Sequence, residues 1–525
     1  METSVLVIGG GIGGLALAHG LRRAGVPVRV LERTRERTDW LQGYRIHINP
    51  AGARALHDLL PPSGWAAFLR AASPGGGFGF LTDRGTDLLG LADDEINAPG
   101  AGAPDRHYGI GRIQLREALL DGLGDVLETG CELISYEVDG EQVIAHLADG
   151  STARGAALVG ADGANSRVRA QLLPAAAGRV DTGVLTIAGR CRSLDGLPPM
   201  LTSRANVVIP RGRGSLFTAA WGTDGTARPS EVTAAPSSRP AAPSGGPADS
   251  TDGPADSTGG PADSTGGPAD STGGPADSTG GPAVSTGGPA VLSGRSVAPS
   301  SGSAARASRS AAPADGVAAS TGDSVPSVGE QVLWGFSDAT ATFPAGVERL
   351  DAEALTRIVD ERLRDWAPEF RTLVSRSDPA TVNAFRVKSA TVVVPPHPSG
   401  WGFKLPAASD KNVELSTGRV TLLGDAVHSM TPMAGVGANT ALRDAALLNR
   451  ELAAAFRGET PLLTAIERYE REMLTYGFAA VRLSLRNARQ AAHSTAAGRA
   501  LFRTALRLTA ATPPLRRRFA RGLGN

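Results

Sequence analysis

Long apolar runs are missing from this 525-residue chain, and no stretch reaches the ~18 residues of a membrane span. Cysteine is nearly absent: Cys131 and Cys191 are the only two. They stand far apart, without ligand spacing, which predicts unpaired thiols in a reducing compartment and no metal site. Net charge is almost nil, with 53 Lys and Arg against 52 Asp and Glu, so no global field points to nucleic acid or an acidic surface. The first strand-like run begins almost at Met1, leaving no room for a signal peptide. These absences predict a cytoplasmic protein with no membrane and no nucleic-acid partner, and leave monomer and homodimer open.

One segment lacks more than the rest. Residues 228–327 contain no Phe, Trp, Tyr, Met, Ile or Lys. Within them GGPADST recurs from Gly245 and drifts to GGPAVST at Gly280. Gly-Gly-Pro in every unit excludes a helix, and with nothing to bury the tract is predicted to be disordered. The strands before it lack closure of their own, so it reads as a lengthened hairpin loop within one sheet. Such lengthening costs little, because closure entropy grows only logarithmically.

What is present is concentrated first between Val5 and Arg33, VLVIGGGIGGLALAHGLRRAGVPVRVLER. An apolar run, Ser4–Ile8, predicts a buried parallel strand. Gly9, Gly11 and Gly14 then stand in GxGxxG register before a helix-period stretch, Leu15–Ala24, closed by Gly25. Val26–Leu31 alternates as a second strand and ends on Glu32. In this βαβ setting Gly9 permits the turn, Gly11 lets the backbone approach a pyrophosphate, and Gly14 lets helix pack on strand. The diphosphate would sit on the free N–H groups at the helix start, around Ile12. Glu32 could accept both hydroxyls of an adenine ribose.

Along the chain, Gly43–Pro50 predicts a strand and Ala51–Leu60 a helix stopped by Pro61-Pro62. A hairpin is expected over Phe78–Leu91, a helix over Arg112–Leu123, and strands broken at Asp139-Gly140 over Cys131–Ile144. A buried strand, Ala156–Ala161, delivers Asp162-Gly163. Strand-like runs between about Val180 and Gly222 resume at Gln331–Phe336. Helices are expected over Leu350–Trp366, Thr440–Phe456 and, singly or as a pair, Leu462–Ala492; strands over Ala380–Val394 and Gly418–Leu423. The basic end, Arg516–Arg518 with Arg521, reads as a solvated helix end.

Two further stretches match the first in character. Val159–Arg169, VGADGANSRVR, runs a strand into Asp-Gly. Leu422–Asp444, LLGDAVHSMTPMAGVGANTALRD, runs a strand into Gly424-Asp425 and then a glycine-rich loop opening onto a helix. Asp425 could accept a hydrogen bond from a sugar-like hydroxyl. The loop N–H groups and helix dipole favour negative charge, including that of a redox ring made anionic on reduction.

With these three motifs in order, the chain resembles the FAD-dependent aromatic hydroxylases of the p-hydroxybenzoate hydroxylase type. The likeness is strongest to the salicylate hydroxylase-like and tetracycline-modifying branch, and spans nearly everything outside 228–327. The resemblance implies an α/β fold: a three-layer Rossmann-like FAD domain of the glutathione reductase kind, an antiparallel-sheet substrate domain, and C-terminal helices. It divides the chain into a first FAD-domain part (1–178, with a substrate-domain hairpin near 75–110) and substrate strands (179–227). After the insertion come a second substrate part (328–405), a second FAD part (406–458) and the C-terminal helices (459–525).

The resemblance also implies that Gly9, Gly11 and Gly14 cradle the FAD pyrophosphate, Glu32 binds the adenosine ribose and Arg33 lines the adenine end. Arg45 and Arg112 correspond to flavin-contacting arginines, and Asp162 to an aspartate tied to FAD and nicotinamide binding. Asp425 would hold the ribityl or phosphate region, while Pro432 and the Gly435–Asn439 backbone, Gly437 and Ala438 included, would face the isoalloxazine. NADPH or NADH would reduce tightly bound FAD. O2 would then form a C4a-hydroperoxide that hydroxylates an aromatic or polyketide-like small molecule, with no obligatory catalytic side chain.

His428 is expected to be a structural neighbour of the loop. Arg167 and Arg169 could steer NADPH phosphate or cap a turn, and Trp401 and Phe403 could line the substrate pocket or be core. A flavin-dependent halogenase is disfavoured, since none of the six tryptophans starts a W-x-W pair. A flavin reductase or dehydrogenase, and a non-catalytic flavin-binding scaffold using its repeat, remain as alternatives.

Overall fold

The computed structural model describes residues 4–35, 45–97, 100–174, 178–221, 331–391 and 418–523. At its centre is β1 (Val5–Ile8), buried at every position, as a continuous apolar run inside a parallel sheet must be. β2 (Val28–Glu32) and then β3 (Leu127–Thr129) flank it on one side; β4 (Ala157–Gly160) and then β5 (Val420–Leu422) flank it on the other. All four pairings are parallel. Ile8 is level with Leu31 and Gly160, and Gly160 with Leu422, so the carboxyl ends of four strands open along one edge.

Alternation along β1 sorts the layers. Val7 faces Gly14 of helix α1 (Ile12–Arg23), whereas Leu6 faces Gly155 on the other side. Gly155 ends an antiparallel three-stranded sheet, Leu133–Asp139, Gln142–Leu147 and Thr152–Gly155. Helix, parallel sheet and antiparallel sheet share one hydrophobic core, the three layers expected of the fold.

Helix α2 (Gly437–Phe456) lies directly on α1. A Cβ on Gly13 would meet Ala441 and Leu423, at 3.4 and 2.6 Å, and one on Gly20 would meet Asn449 at 2.7 Å. Contacts that advance together along both helices mean that the two run the same way, with their N-termini at the same end. The sequence placed the start of α2 three residues late, because the glycine-rich segment around Gly437 reads as loop by propensity.

A second sheet has seven strands in the order Asn383–Ala390, Arg179–Cys191, Gln331–Ala339, Ser215–Trp221, Arg204–Val208, Gly77–Leu81, Asp87–Leu91. It is antiparallel apart from the parallel pairing of Arg204–Val208 with Gly77–Leu81. Its core, with Trp334 and Phe336, packs on helices Ala352–Arg362 and Pro368–Ser375. Trp221 is paired with Gln331, so the strands on either side of the insertion are antiparallel neighbours. The repeat lies outside the described residues, as do Trp401 and Phe403.

The long C-terminal stretch is a single helix, α3 (Leu462–His493). It joins the sheets: Tyr469 donates to the Leu422 carbonyl at 2.8 Å, while Ala488 and Ala492 pack with Val184 and Val387 of the second sheet. Two further helices follow, α4 (Ala496–Ala511) and α5 (Pro513–Leu523).

Candidate functional site

The three sequence motifs meet at the carboxyl edge of the parallel sheet. Gly9, at φ +108°, could not carry a side chain: its Cβ would lie 2.6 Å from the Ala161 carbonyl oxygen. Gly14 is as constrained, its Cβ falling 2.2 Å from the Gly9 oxygen. Gly11 is different. A Cβ there has nothing nearer than 4.0 Å, so the space over Gly11 is open. Gly11 caps α1 without a side-chain hydrogen bond, leaving the first N–H groups, at Ile12, Gly13 and Gly14, without a capping oxygen.

Glu32 reaches back over this loop from the end of β2. Its carboxylate accepts from Gly10 N–H at 2.6 Å and Thr34 N–H at 2.9 Å. Arg116 closes the loop from above, donating from Nε to the Gly10 carbonyl at 2.8 Å. Burial lowers the Arg116 pKa to about 10, with Glu32 acting against the shift and Arg112 adding to it. The sequence did not single out Arg116. Its one signal is its place four residues after Arg112, on the same face of the helix Arg112–Leu120. Arg33 is exposed and makes no hydrogen bond among the described residues.

Asp162, after β4, caps the short helix Arg167–Leu172 by accepting from Arg167 N–H at 2.7 Å. Its other oxygen, Oδ1, is buried without a partner. Arg169 ties this turn to the third motif, donating to the carbonyls of Ala164 at 2.8 Å and Ala426 at 2.7 Å. Arg167 is held by Glu132 at 2.6 Å and the Leu133 carbonyl.

Asp425 follows β5 and is exposed to solvent. Its carboxylate makes no hydrogen bond among the described residues. Desolvation by the protein around it pushes its pKa up, against His428, Arg112, Arg179 and Arg169.

A strand pair joins the same edge through the α2 loop. Arg45–Ile48 runs antiparallel to Tyr108–Gly111 with Arg45 opposite Gly111, the residue before Arg112, and the Arg45 guanidinium lies over Gly109. Arg45 donates from Nη2 to the Gly75 carbonyl at 2.9 Å, while its Nε is buried without a partner. Burial lowers its pKa to about 10.

Asn439 locks this strand to the α2 loop. Its Nδ2 donates to the His47 carbonyl at 2.8 Å and its Oδ1 accepts from Asn49 N–H at 2.9 Å. The Asn439 side chain is thus committed to protein backbone. Pro432 and Gly435 (φ +66°) are exposed, and α2 begins at Gly437 and Ala438 without a side-chain cap.

Two histidine pairs back these elements. His428 Nε2 lies 2.7 Å from Asp444, both fully buried, so His428 is enclosed as a structural neighbour of the loop. His47 Nε2 and His107 Nδ1 are 2.9 Å apart with their rings stacked. Burial holds His47 well below its ordinary pKa and lowers His107 to about 4, so both rings are neutral near pH 7.

Two uncapped, glycine-opened helix N-termini side by side, with the Asp425 carboxylate within the field of Arg112, suit a long anionic cofactor bearing hydroxyls and an electron-accepting ring. The orphaned Asp162 Oδ1 and Arg45 Nε, and the open face of Gly11, fit such a group.

Known proteins resemble this chain in sequence and fold. An FAD binding domain profile matches residues 2–192 and 368–484. The chain is 30% identical, over 458 residues, to the dual O-methyltransferase/FAD-dependent monooxygenase ElcB of Phaeosphaeria nodorum, covering 86% of this chain and 40% of that one. It is 34% identical over 206 residues to the 3-amino-4-hydroxybenzoate 2-monooxygenase PtmB3 of Streptomyces platensis, covering 38% of this chain and 49% of that one. The chain thus spans less than half the length of either relative. A crystal structure from Photorhabdus luminescens, assigned to the FAD-containing monooxygenases, superposes with a TM-score of 0.64 at 29% identity, covering 93% of this chain and 98% of that one. The fold and the family match define a flavoprotein of the Rossmann-like FAD-binding class. The chain belongs to the FAD-dependent aromatic hydroxylase family.

Proposed function

We propose that this chain is a monooxygenase that holds FAD along the carboxyl edge of the parallel sheet. It takes electrons from NADPH or NADH and oxygen from O2, and hydroxylates an aromatic or polyketide-like small molecule. The observation that carries the reading is the pair of uncapped helix N-termini opening together beside the unmatched Asp162 Oδ1.

In this reading Gly11, Ile12 and Gly14 bring backbone N–H groups to the pyrophosphate, while Gly9, whose own N–H is held by the Leu31 carbonyl at 2.8 Å, supplies the tight turn. Glu32 orders the loop through Gly10 and has lone pairs left for a ribose, with Arg33 at the adenine end. Arg45 and Arg112 face the flavin from one wall. Asp162 and Asp425 accept hydroxyl or phosphate-side hydrogen bonds from the other. Pro432, Gly435, Gly437, Ala438 and Asn439 present backbone at the ring, where the α2 dipole favours negative charge. The seven-stranded sheet supplies the substrate side, and the domain boundaries expected from the sequence are kept. Bound FAD would supply hydride acceptance and oxygen activation; the chain orients it and keeps water out.

Isotope labelling tests the reaction. With NADPH, 18O2 and a panel of phenols and polyketide-like aromatics, one compound should yield product carrying one 18O per NADPH consumed. Stoichiometric hydrogen peroxide with every compound would replace the proposal with a reductase. The site is tested by Asp425→Ala, which leaves a bound hydroxyl without its acceptor and should weaken FAD retention by about 1–3 kcal/mol. Retention equal to the parent's would remove Asp425 from the site.

A further inference from the structure

The C-terminal helix pair is docked on one face and bare on the other. On the docked face Leu506 and Ala520 are buried with Leu88, Leu89 and Leu91 of the sheet edge. Phe502 and Phe519 pack edge-on against Phe80. Two arginines are spent on this attachment: Arg503 pairs with Asp83 at 3.2 Å and Arg516 with Glu95 at 2.6 Å. Arg516 is therefore not the solvated helix end that the sequence suggested.

On the other face stand the two most exposed large apolar side chains among the described residues, Leu501 at 73% and Leu508 at 60%. Seven residues apart, they share one side of α4. Leu515 on α5 is exposed as well. Around them Arg507, Arg517, Arg518 and Arg521 are exposed and form no ion pair among the described residues.

The charge is one-sided over a longer span. Residues 473–525 hold ten arginines and no Asp, Glu or Lys, in a chain whose formal net charge is only +1. Solvated arginines need no leucines beside them, and leucines exposed this far need a cover. A second copy of the same cationic face would repel it. Residues 228–327 carry aspartates but no aromatic, Ile or Met to cover leucines. Nucleic acid would use the arginines and leave the leucines in water. A lipid surface with anionic headgroups satisfies both.

We propose that α4 and α5 dock the protein on an anionic lipid surface, with Leu501, Leu508 and Leu515 entering the headgroup layer and the free arginines pairing with lipid phosphates. No helix among the described residues is long and apolar enough to cross a membrane, and docking needs none: the apolar face enters only about 5–10 Å.

Vesicle flotation of the full-length, FAD-loaded protein tests this. It should float with phosphatidylcholine–phosphatidylglycerol vesicles at low salt, and not with phosphatidylcholine alone. L501N/L508N and R507E/R517E/R518E should each reduce flotation at least ~10-fold, with flavin content and turnover unchanged. Four results would overturn the proposal. One is absence of flotation with the anionic vesicles; another is flotation undiminished in both variants. A third is a dimer in sedimentation that L501N/L508N dissociates, which would make the face a self-interface. The last is flotation that appears only after deletion of residues 228–327, which would make that tract the natural occupant.

Discussion

His428 Nε2 stands 2.7 Å from the Asp444 carboxylate, with neither side chain exposed. The same Asp444 oxygen accepts from Gly424 N–H at 2.7 Å, and its partner oxygen accepts from Tyr476 OH at 2.6 Å. One buried carboxylate thus fixes the turn that presents Asp425. Asp444→Ala would leave three donors without an acceptor and should cost about 3–5 kcal/mol, read by urea denaturation; a loss below 1 kcal/mol, the scale of an exposed pair, would contradict this.

The pair also sets a pH limit. Burial opposes a proton on His428, but the charge and hydrogen bond of Asp444, helped by Asp425, outweigh it and raise the pKa above the ordinary 6.5. The stabilisation is therefore complete below pH 6.5 and is lost as pH rises through the raised value. Melting temperature should fall on the alkaline side, and His428→Gln should flatten that limb.

His107 titrates with the opposite sign. Its pKa is lowered by burial to about 4 from 6.5, so as pH falls through this range the unfolded chain takes up a proton that the folded one refuses. Stability should fall by roughly 3 kcal/mol between those limits. His107→Gln should remove much of this acid limb in pH-resolved melting curves. An unchanged limb would mean that the ring is protonated in the folded protein.

Gly11 and Gly14 separate cofactor binding from folding. A Cβ on Gly14 meets backbone at 2.2 Å, whereas one on Gly11 meets open space. Gly14→Ala should destabilise the protein even without flavin, by about 1–3 kcal/mol or more. Gly11→Ala should leave apoprotein melting unchanged and weaken FAD binding at least ~10-fold, because the methyl group occupies the diphosphate's approach. Calorimetry of apoprotein and flavin titration read the two effects separately. Equal flavin affinity in parent and Gly11→Ala would place the diphosphate elsewhere.

Trp221 faces Gln331 across the sheet, so the chain leaves and re-enters at adjacent positions. Replacing residues 228–327 with a short glycine-serine turn should leave flavin content and NADPH turnover within about twofold, because the change alters only the closure entropy of the connection, which grows logarithmically with length. A larger loss would show that the tract takes part in binding or turnover.

The sequence announced those features that depend on neighbours in the chain. Gly9, Gly11 and Gly14 reveal a strand–turn–helix because each acts within a few residues of itself. The same holds for the Asp162-Gly163 and Gly424-Asp425 turns. What stayed hidden depends on partners far apart in sequence. Arg116 matters because it reaches Gly10, and His47 because it meets His107. Asn439 matters because its amide is spent on His47 and Asn49. Arg45 and Arg112 were visible as candidates, but the placing of Arg45 opposite Gly111 and over Gly109 required the strand pairing. At the C-terminus, an arginine cluster reads alike whether its members are paired or free. Glu95 decides the matter for Arg516 alone.

The Trp221–Gln331 pairing has a genetic side. Direct repeats in coding DNA gain and lose copies when the replicating strands slip, and here each in-frame slip adds or removes a whole GGPADST unit. Because both strand ends are pinned by their own ladder, such a change reaches the sheet only through a logarithmic entropy term. A longer or shorter repeat would therefore leave the register of these two strands, and the sheet built on it, unchanged.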